Sequence, residues 1–482
     1  MKKFISLALL ISILLASSCG ETGTPNETTT GGESTEPNSS ETTAVRDTPD
    51  FGKTDYNGAD FTILGFEFDF YDKYFFADEQ NGERMNDAIY ERKMMTEDYL
   101  GVKITHTKAA THRDLAAKVQ QNVVAGDDEY QLALPHCIRC VSDMVLTGSL
   151  YDWNSLPGVD LSKDYYSHSI NDELEVNGKL FYMVSDYMIQ NPSCVLFNKG
   201  LITDFKLEDP YQLVYDGKWT FDAMYKMADE VTGDLNGDGK MDINDRYGIA
   251  AEGNWLLNCI PYACGIKLVE RTSDGGFKLA LNSEKMVNAV GKFDAALNGR
   301  GSMYLWKFSE QPENTIPIDS GRSLFQFYPL YKIYEFRDSA VDYGVLPFPK
   351  YDESQENYTT NDWGSLMCVP ATVNDPEMVG KVVEYLSYIS KDTTIPAYYD
   401  VTLVGKLARD DDSAEMMNII FDNIVFDAGM NYFGFEPNME KLFYTLENLV
   451  RVNGSADFAS WYKTYADGAQ AAMNDFVANL PD

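Results

Sequence analysis

Basic residues are scarce in this chain. Against 75 Asp and Glu it carries only 39 Lys and Arg, a formal net charge of −36. Phosphate binding needs clustered cations, so the shortage argues against nucleic acid, anionic lipid surfaces and polyanionic substrates as partners. Neutral or cationic small ligands remain. Cysteine is sparse as well: seven in 482 residues, too few for a dense disulfide framework. Cys137 and Cys140 form a single C-x-x-C with no second pair, so a local disulfide or two ordinary thiols is expected there rather than a four-ligand zinc site. Beyond the first residues no stretch is long and apolar enough to cross a bilayer. The chain has no G-x-S-x-G, no H-E-x-x-H and no recognisable nucleophile–base set, which speaks against hydrolase chemistry. The many carboxylates of so acidic a protein say nothing either way about a glycan hydrolase.

One motif does carry specific chemistry. Residues 234 to 245 read Asp-Leu-Asn-Gly-Asp-Gly-Lys-Met-Asp-Ile-Asn-Asp, the pattern of a calcium loop with alternating oxygen donors and a central glycine for the sharp turn. Asp234, Asn236 and Asp238 supply converging oxygens, the Lys240 carbonyl is the backbone ligand, and Asp242 with Asp245 completes the shell. A helix beginning near Phe221 precedes the loop, while Arg246-Tyr-Gly-Ile reads as a turn into a strand. The expected site is therefore a lone structural Ca2+ staple and not a paired EF-hand. An Asx-rich turn without an ion is the alternative.

The N-terminus points to export. Met1-Lys2-Lys3 is followed by an apolar run from Phe4 to Leu15 and by Ala16-Ser17-Ser18-Cys19, which resembles a lipoprotein signal peptide over 1–19 with Cys19 as the lipidated residue. An ordinary signal peptide is the alternative. Residues 20–50 are Thr, Glu, Ser, Gly, Asn and Pro with almost no large apolar side chain, and cannot bury enough surface to offset their ordering entropy. They are expected to be a disordered tether.

The remaining residues exceed the usual size of one core, so two domains are expected. Their pattern alternates strands and helices: a strand at Phe61–Leu64, a helix from Met85 to Tyr99, a strand from Val102 to Thr107, a helix capped by Thr111 and Asp114, and a strand from Tyr130 to Leu134. This order implies a parallel sheet with ligands beyond the strand C-terminal ends, where Glu67, Asp69, His136 and Arg139 lie. Ser283 is expected to cap a helix burying Val287, Val290, Phe293 and Leu297, and Asp375 one burying Val379, Val382, Val383 and Leu386.

Further along, Asn177-Gly-Lys-Leu-Phe-Tyr182, Val195-Leu-Phe-Asn-Lys-Gly200, Gly217-Lys-Trp-Thr-Phe-Asp222, Arg246-Tyr-Gly-Ile249 and Tyr343-Gly-Val-Leu-Pro-Phe-Pro-Lys350 occur in order. This ordered set resembles family 1 extracellular solute-binding proteins. Pro396-Ala-Tyr-Tyr399 and Arg409-Asp410 are similar to a clostridial-type subgroup.

The resemblance implies a periplasmic-binding-protein-like α/β fold, with two α/β lobes, a hinge and an interlobe ligand cleft. Lobe 1 would comprise 51–187 and 359–405, and lobe 2 would comprise 188–358 and 406–482, including the calcium loop. It further implies a monomeric, non-enzymatic substrate-binding lipoprotein of an ABC transporter on the extracellular face of the cytoplasmic membrane. Such a protein captures an oligosaccharide by lobe closure and delivers it to a permease. Sugar recognition needs flat apolar faces and planar polar groups. Trp255, Tyr328 and Trp363 match positions where the family places cleft residues, while Tyr187 lies by the first crossing and Asp362 beside Trp363 at the second, both as further ligand candidates. Trp219, at a helix start, is expected in the core. A surface glycan hydrolase, the same fold binding peptide, and a sensor subunit are the alternatives.

Overall fold

The computed structural model describes residues 48–52, 54–138, 140–307, 310–399 and 410–481. The chain divides into two units, Met1–Asp47 and Thr48–Asp482, and all described residues belong to the second. The signal segment with Cys19, residues 20–47 of the tether, and Arg139 lie outside the described residues.

Three strands, β1 (Ala59–Phe66), β2 (Val102–Ala109) and β3 (Leu132–Ala133), form a parallel sheet in the order β2-β1-β3. The connections are the expected helices. Arg84–Leu100 ends at Gly101, whose φ of 65° is the left-handed cap conformation that glycine adopts without strain. His112–Ala125 opens on a reciprocal pair: the Asp114 amide donates to Thr111 Oγ1 at 3.2 Å, and the Thr111 hydroxyl donates to Asp114 Oδ2 at 2.8 Å. The strand expected over Tyr130–Leu134 shortens to two residues. At Gln131 the backbone amide still donates to the Thr62 carbonyl at 3.0 Å, while the return bond from the Thr62 amide goes to the side-chain Oε1 at 2.6 Å. Past β3 the chain returns antiparallel, with Cys368 beside Ala133, Met367 beside Met183 and Pro370 beside Leu150.

The second sheet takes β4 (Ser193–Asn198), β5 (Tyr247–Glu252) and, beyond the antiparallel ribbon of β6 (Val269–Arg271) and β7 (Phe277–Leu279), the strands β8 (Met303–Trp306), β9 (Ser323–Pro329) and β10 (Tyr343–Leu346). Its order is β10-β4-β9-β5-β8. The pairs of β5 with β8 and β9 are parallel, and those of β4 with β9 and β10 are antiparallel. Two residues of β11 (Thr360–Asn361) pair in parallel with β12 (Ile424–Val425). Helix Phe221–Val231, capped by Thr220, packs on β5 so closely that a Cβ on Gly248 would collide with the Ala228 backbone. Trp219 is fully buried and donates from Nε1 to the Pro347 carbonyl at 2.9 Å, as a core residue should.

Two helices refine the expectations. In Pro376–Ser390 the Asp375 cap accepts from the Met378 amide, and Val379, Val382, Val383 and Leu386 are all buried. In Glu284–Asp294 the expected core residue Val287 is instead 43% exposed. The Ser283 cap sets a phase in which Met286, Val290 and Phe293 face inward, at spacings of four and three, leaving Val287 on the flank. Leu297 sits half-buried in the wider turn Ala295–Gly299 that follows. Cys137 and Cys140 stand as thiols and not as a disulfide. No described helix is long and apolar enough to cross a membrane.

Candidate ligand-binding site

Between the two sheets the chain crosses near residues 185–193 and again near 360–366. Asp362, 4% exposed, clamps the two passages together: its carboxylate accepts from the Asn191 amide at 2.5 Å and from the Gly364 amide at 2.9 Å. The Trp363 amide donates to the Asn191 carbonyl at 3.1 Å. Burial pushes the Asp362 carboxyl up to about 6, partly offset by the backbone N–H groups. Asp362 is thereby committed to the backbone of the crossing, and its neighbour Trp363 is held in a fixed position.

Trp363 meets Trp255 edge to face, with ring centroids 5.3 Å apart and planes at 80°. Trp255 is half-buried, whereas Trp363 is 5% exposed and also packs on Phe443. Asn254 presents Trp255 from a left-handed turn at φ 71°, a conformation asparagine tolerates better than most residues. The Asn254 amide donates to Glu447 Oε2 at 3.1 Å, and Glu447 is ion-paired with Arg451. At the end of β5, Glu252 accepts from Trp255 Nε1. Burial raises the Glu252 carboxyl, opposed by that indole N–H and by Lys332. The result is an aromatic pair with a half-buried carboxylate on one side, Trp255 held through its indole N–H and Trp363 through its backbone amide.

The first sheet contributes a second aromatic group at the end of β1. Phe66 and Phe68 stack with centroids 5.7 Å apart, and His136 lies 6.4 Å from Phe66 and 6.3 Å from Phe68. Phe68 and Phe70 reach across to Tyr331, which follows β9, at 6.1 and 5.3 Å. The Tyr74 hydroxyl donates to the Tyr331 carbonyl at 3.2 Å. Burial raises the Tyr331 phenol, and the nearby carboxylates of Asp69, beside the first sheet, and Glu252, on the second, add to the effect. Tyr331 is thus where the strand ends of the two sheets meet.

Of the residues singled out from sequence, Trp255 and Trp363 are brought together, while His136 and Asp69 join the Phe68–Tyr331 group. Glu67 is exposed and pairs with Lys108 at 3.5 Å. Tyr187 lies elsewhere, in the core, with the Arg92 guanidinium 4.3 Å over its ring. Tyr328 points to the far side of β9, packing on Phe336 at 4.9 Å and donating to Glu335 at 2.5 Å. The strand's alternation explains this: Tyr328 and its neighbour Phe327 occupy opposite faces. Sequence reasoning missed Phe68, Glu252 and Tyr331. The first two follow from the rule that ligands gather at strand C-terminal ends, since each sits at or just past one. For Tyr331 no local signal existed.

In the 234–245 loop, Gly237 and Gly239 have φ of 73° and 80°. Asp234 accepts from the Gly237 and Gly239 amides at 2.6 and 2.8 Å, and Asn236 and Asp238 each accept from the amide two residues on. Asp245 accepts from Leu235 at 2.9 Å and Asp242 at 2.8 Å. These hydrogen bonds wind the loop into successive Asx turns. Among the described residues, however, no three Asp, Glu, His or Cys side chains are gathered closely enough to hold a metal.

No protein-family model matches this chain, and no curated protein matches it. Solved structures do match. The cyclic alpha-maltosyl-1,6-maltose binding protein of Arthrobacter globiformis aligns with a TM-score of 0.60 at 14% identity, over 88% of this chain and 100% of its own. The galacto-N-biose-/lacto-N-biose I-binding protein of the ABC transporter from Bifidobacterium longum, solved with lacto-N-biose, gives 0.59 at 13% identity over 88% and 98%. UgpB from Mycobacterium tuberculosis, solved with glycerophosphocholine, gives 0.57 at 15% over 87% and 98%. The fold is periplasmic-binding-protein-like. Within it the Phe68–Tyr331 group joins the strand ends of the two sheets, and the Trp255–Trp363 pair lies at the second crossing.

Proposed function

We propose that this protein captures a small neutral solute, an oligosaccharide, between its lobes and hands it to an ABC permease without chemical change. The observation that carries the reading is the Trp255–Trp363 pair with Glu252 hydrogen-bonded beside it. An indole face receives the C–H face of a pyranose, and a carboxylate accepts from its hydroxyls. The structural neighbours support the reading, since two of the three are binding proteins named for an oligosaccharide. The Phe68–Tyr331 contact supports capture by closure: a ligand shifts a lobe equilibrium only if it contacts both sides of the closed state.

Three finer elements belong to the same proposal. Cys19 carries a lipid that anchors the body to the outer face of the cytoplasmic membrane, with residues 20–50 as the tether, and the chain acts as a monomer of the clostridial-type subgroup. Lobe 1 comprises 51–187 and 359–405, and lobe 2 comprises 188–358 and 406–482. The loop holds a structural Ca2+ through Asp234, Asn236, Asp238, the Lys240 carbonyl, Asp242 and Asp245, after a small convergence of the carboxylates. The fit rests on the loop's winding and oxygen alternation.

A thermal-shift screen tests the ligand class, using neutral oligosaccharides, peptides and choline esters in parallel. The proposal expects a neutral oligosaccharide to raise the melting temperature. A response confined to peptides or to choline esters would replace the sugar assignment. The choline arm is included because aromatic pairs with a nearby carboxylate also suit quaternary ammonium groups.

A further inference from the structure

Arg92 is 2% exposed, in a chain with almost twice as many acidic as basic residues, yet no carboxylate pairs with it among the described residues. Its polar partners are all neutral oxygens: the Tyr187 carbonyl at 3.2 Å, Ser390 Oγ at 3.2 Å, Thr394 Oγ1 at 3.3 Å and the Phe75 carbonyl at 3.5 Å. Three of the four share Nη1, so Nη2 has only the long contact to Phe75. Burial pulls the guanidinium down to about 10, with only the Tyr187 phenol opposing the shift. A buried cation met only by neutral dipoles and the face of the Tyr187 ring is costly, and the usual remedy is a counter-charge.

Beside it lies a cavity of about 20 Å³ within the first lobe, away from the Trp255–Trp363 pair. Arg92, Lys93 and His106 line it, with Phe75, Phe76 and Tyr187 among its walls, and among the described residues no carboxylate lines it. His106 is fixed by stacking on Phe76, with centroids 4.4 Å apart and planes at 2°. Its Nε2 lies 3.7 Å from Asp78, which is exposed and outside the lining, and burial lowers the imidazole below its ordinary value, so that it offers the cavity a neutral ring. The space exceeds the roughly 10–15 Å³ that one water needs, enough for a small ion.

We propose that this cavity binds a small monovalent inorganic anion of the chloride class, which neutralises Arg92. Through Arg92 the ion would brace helix Arg84–Leu100 against the first crossing at Tyr187 and against the Ser390–Thr394 region. The proposal is independent of the sugar assignment.

The test exchanges the purified protein into gluconate buffer at constant ionic strength and titrates it with chloride or bromide, following the melting temperature. A saturable rise is expected with either halide. Lys93→Gln and His106→Asn, whose side chains are only partly buried, should raise the half-saturating concentration by on the order of tenfold while still folding. Arg92→Gln should lose the response. Crystals grown in bromide should show one anomalous peak beside Arg92. A rise that never saturates, an identical rise in the wild type and both partly buried variants, or a water in place of bromide would overturn the proposal.

Discussion

Trp255 meets Trp363 edge to face at 5.3 Å, joining the end of β5 to the second crossing of the chain. Their unequal burial separates two roles that substitution can distinguish. Trp255→Ala should abolish sugar binding and lower stability by no more than about 1–2 kcal/mol. Trp363→Ala, at a fully packed position, should lower it by about 3–5 kcal/mol. Urea unfolding read beside ligand titration checks both, and equal stability losses would contradict the assigned burial.

Stability should rise on mild acidification. Burial pushes both Asp362 and Asp427 up to about 6, above the ordinary 3.8. Each therefore binds more protons folded than unfolded between about pH 4 and 6, and its contribution is present at low pH and lost as the pH rises through the folded value. Burial raises Glu252 and Glu384 in the same direction. The unfolding free energy should be larger at pH 5 than at pH 7.5 by about 1–3 kcal/mol, with Asp427→Asn flattening the slope. Urea melts at the two pH values decide it, and stability that increases with pH would contradict these assignments.

Calcium should act on stability alone. Added Ca2+ is expected to raise the melting temperature, and chelation or Asp238→Ala to reverse the gain, while the affinity for sugar stays constant in protein that remains folded. Calorimetry with and without chelator measures that affinity. A change in affinity at constant melting temperature would give the loop a different role.

Gly248→Ala should cost about 3 kcal/mol, because the new methyl would collide with the Ala228 backbone where helix Phe221–Val231 crosses β5. The midpoint of urea unfolding reports the loss. A neutral outcome would mean that helix and strand stand further apart than described.

The first sheet and its helices were largely legible in the sequence, because their signals are local. Thr111 and Asp114 mark a capping box, Gly101 and Gly126 are stops, and β1 and β2 follow from short apolar runs. The site was legible only in part. Trp255 and Trp363 stood out by residue type, but whether Tyr328 faces the cleft depends on the phase of a strand, and a one-residue error reverses the answer. Tyr187 was misplaced for a similar reason: a buried Arg92 from a distant helix claims its ring. Val287 shows how an apolar residue beside the true stripe imitates it until the cap fixes the phase. Tyr331 joins the candidate site only because two sheets far apart in sequence bring their strand ends together, which no local pattern encodes.

The most direct test of the central claim is isothermal titration calorimetry of the purified protein with neutral oligosaccharides, with the recovered sugar checked for integrity. The account predicts saturable one-to-one binding of an intact oligosaccharide, with a negative heat-capacity change and loss of binding in Trp255→Ala. Absence of binding across a broad panel, or recovery of cleaved sugar, would contradict it.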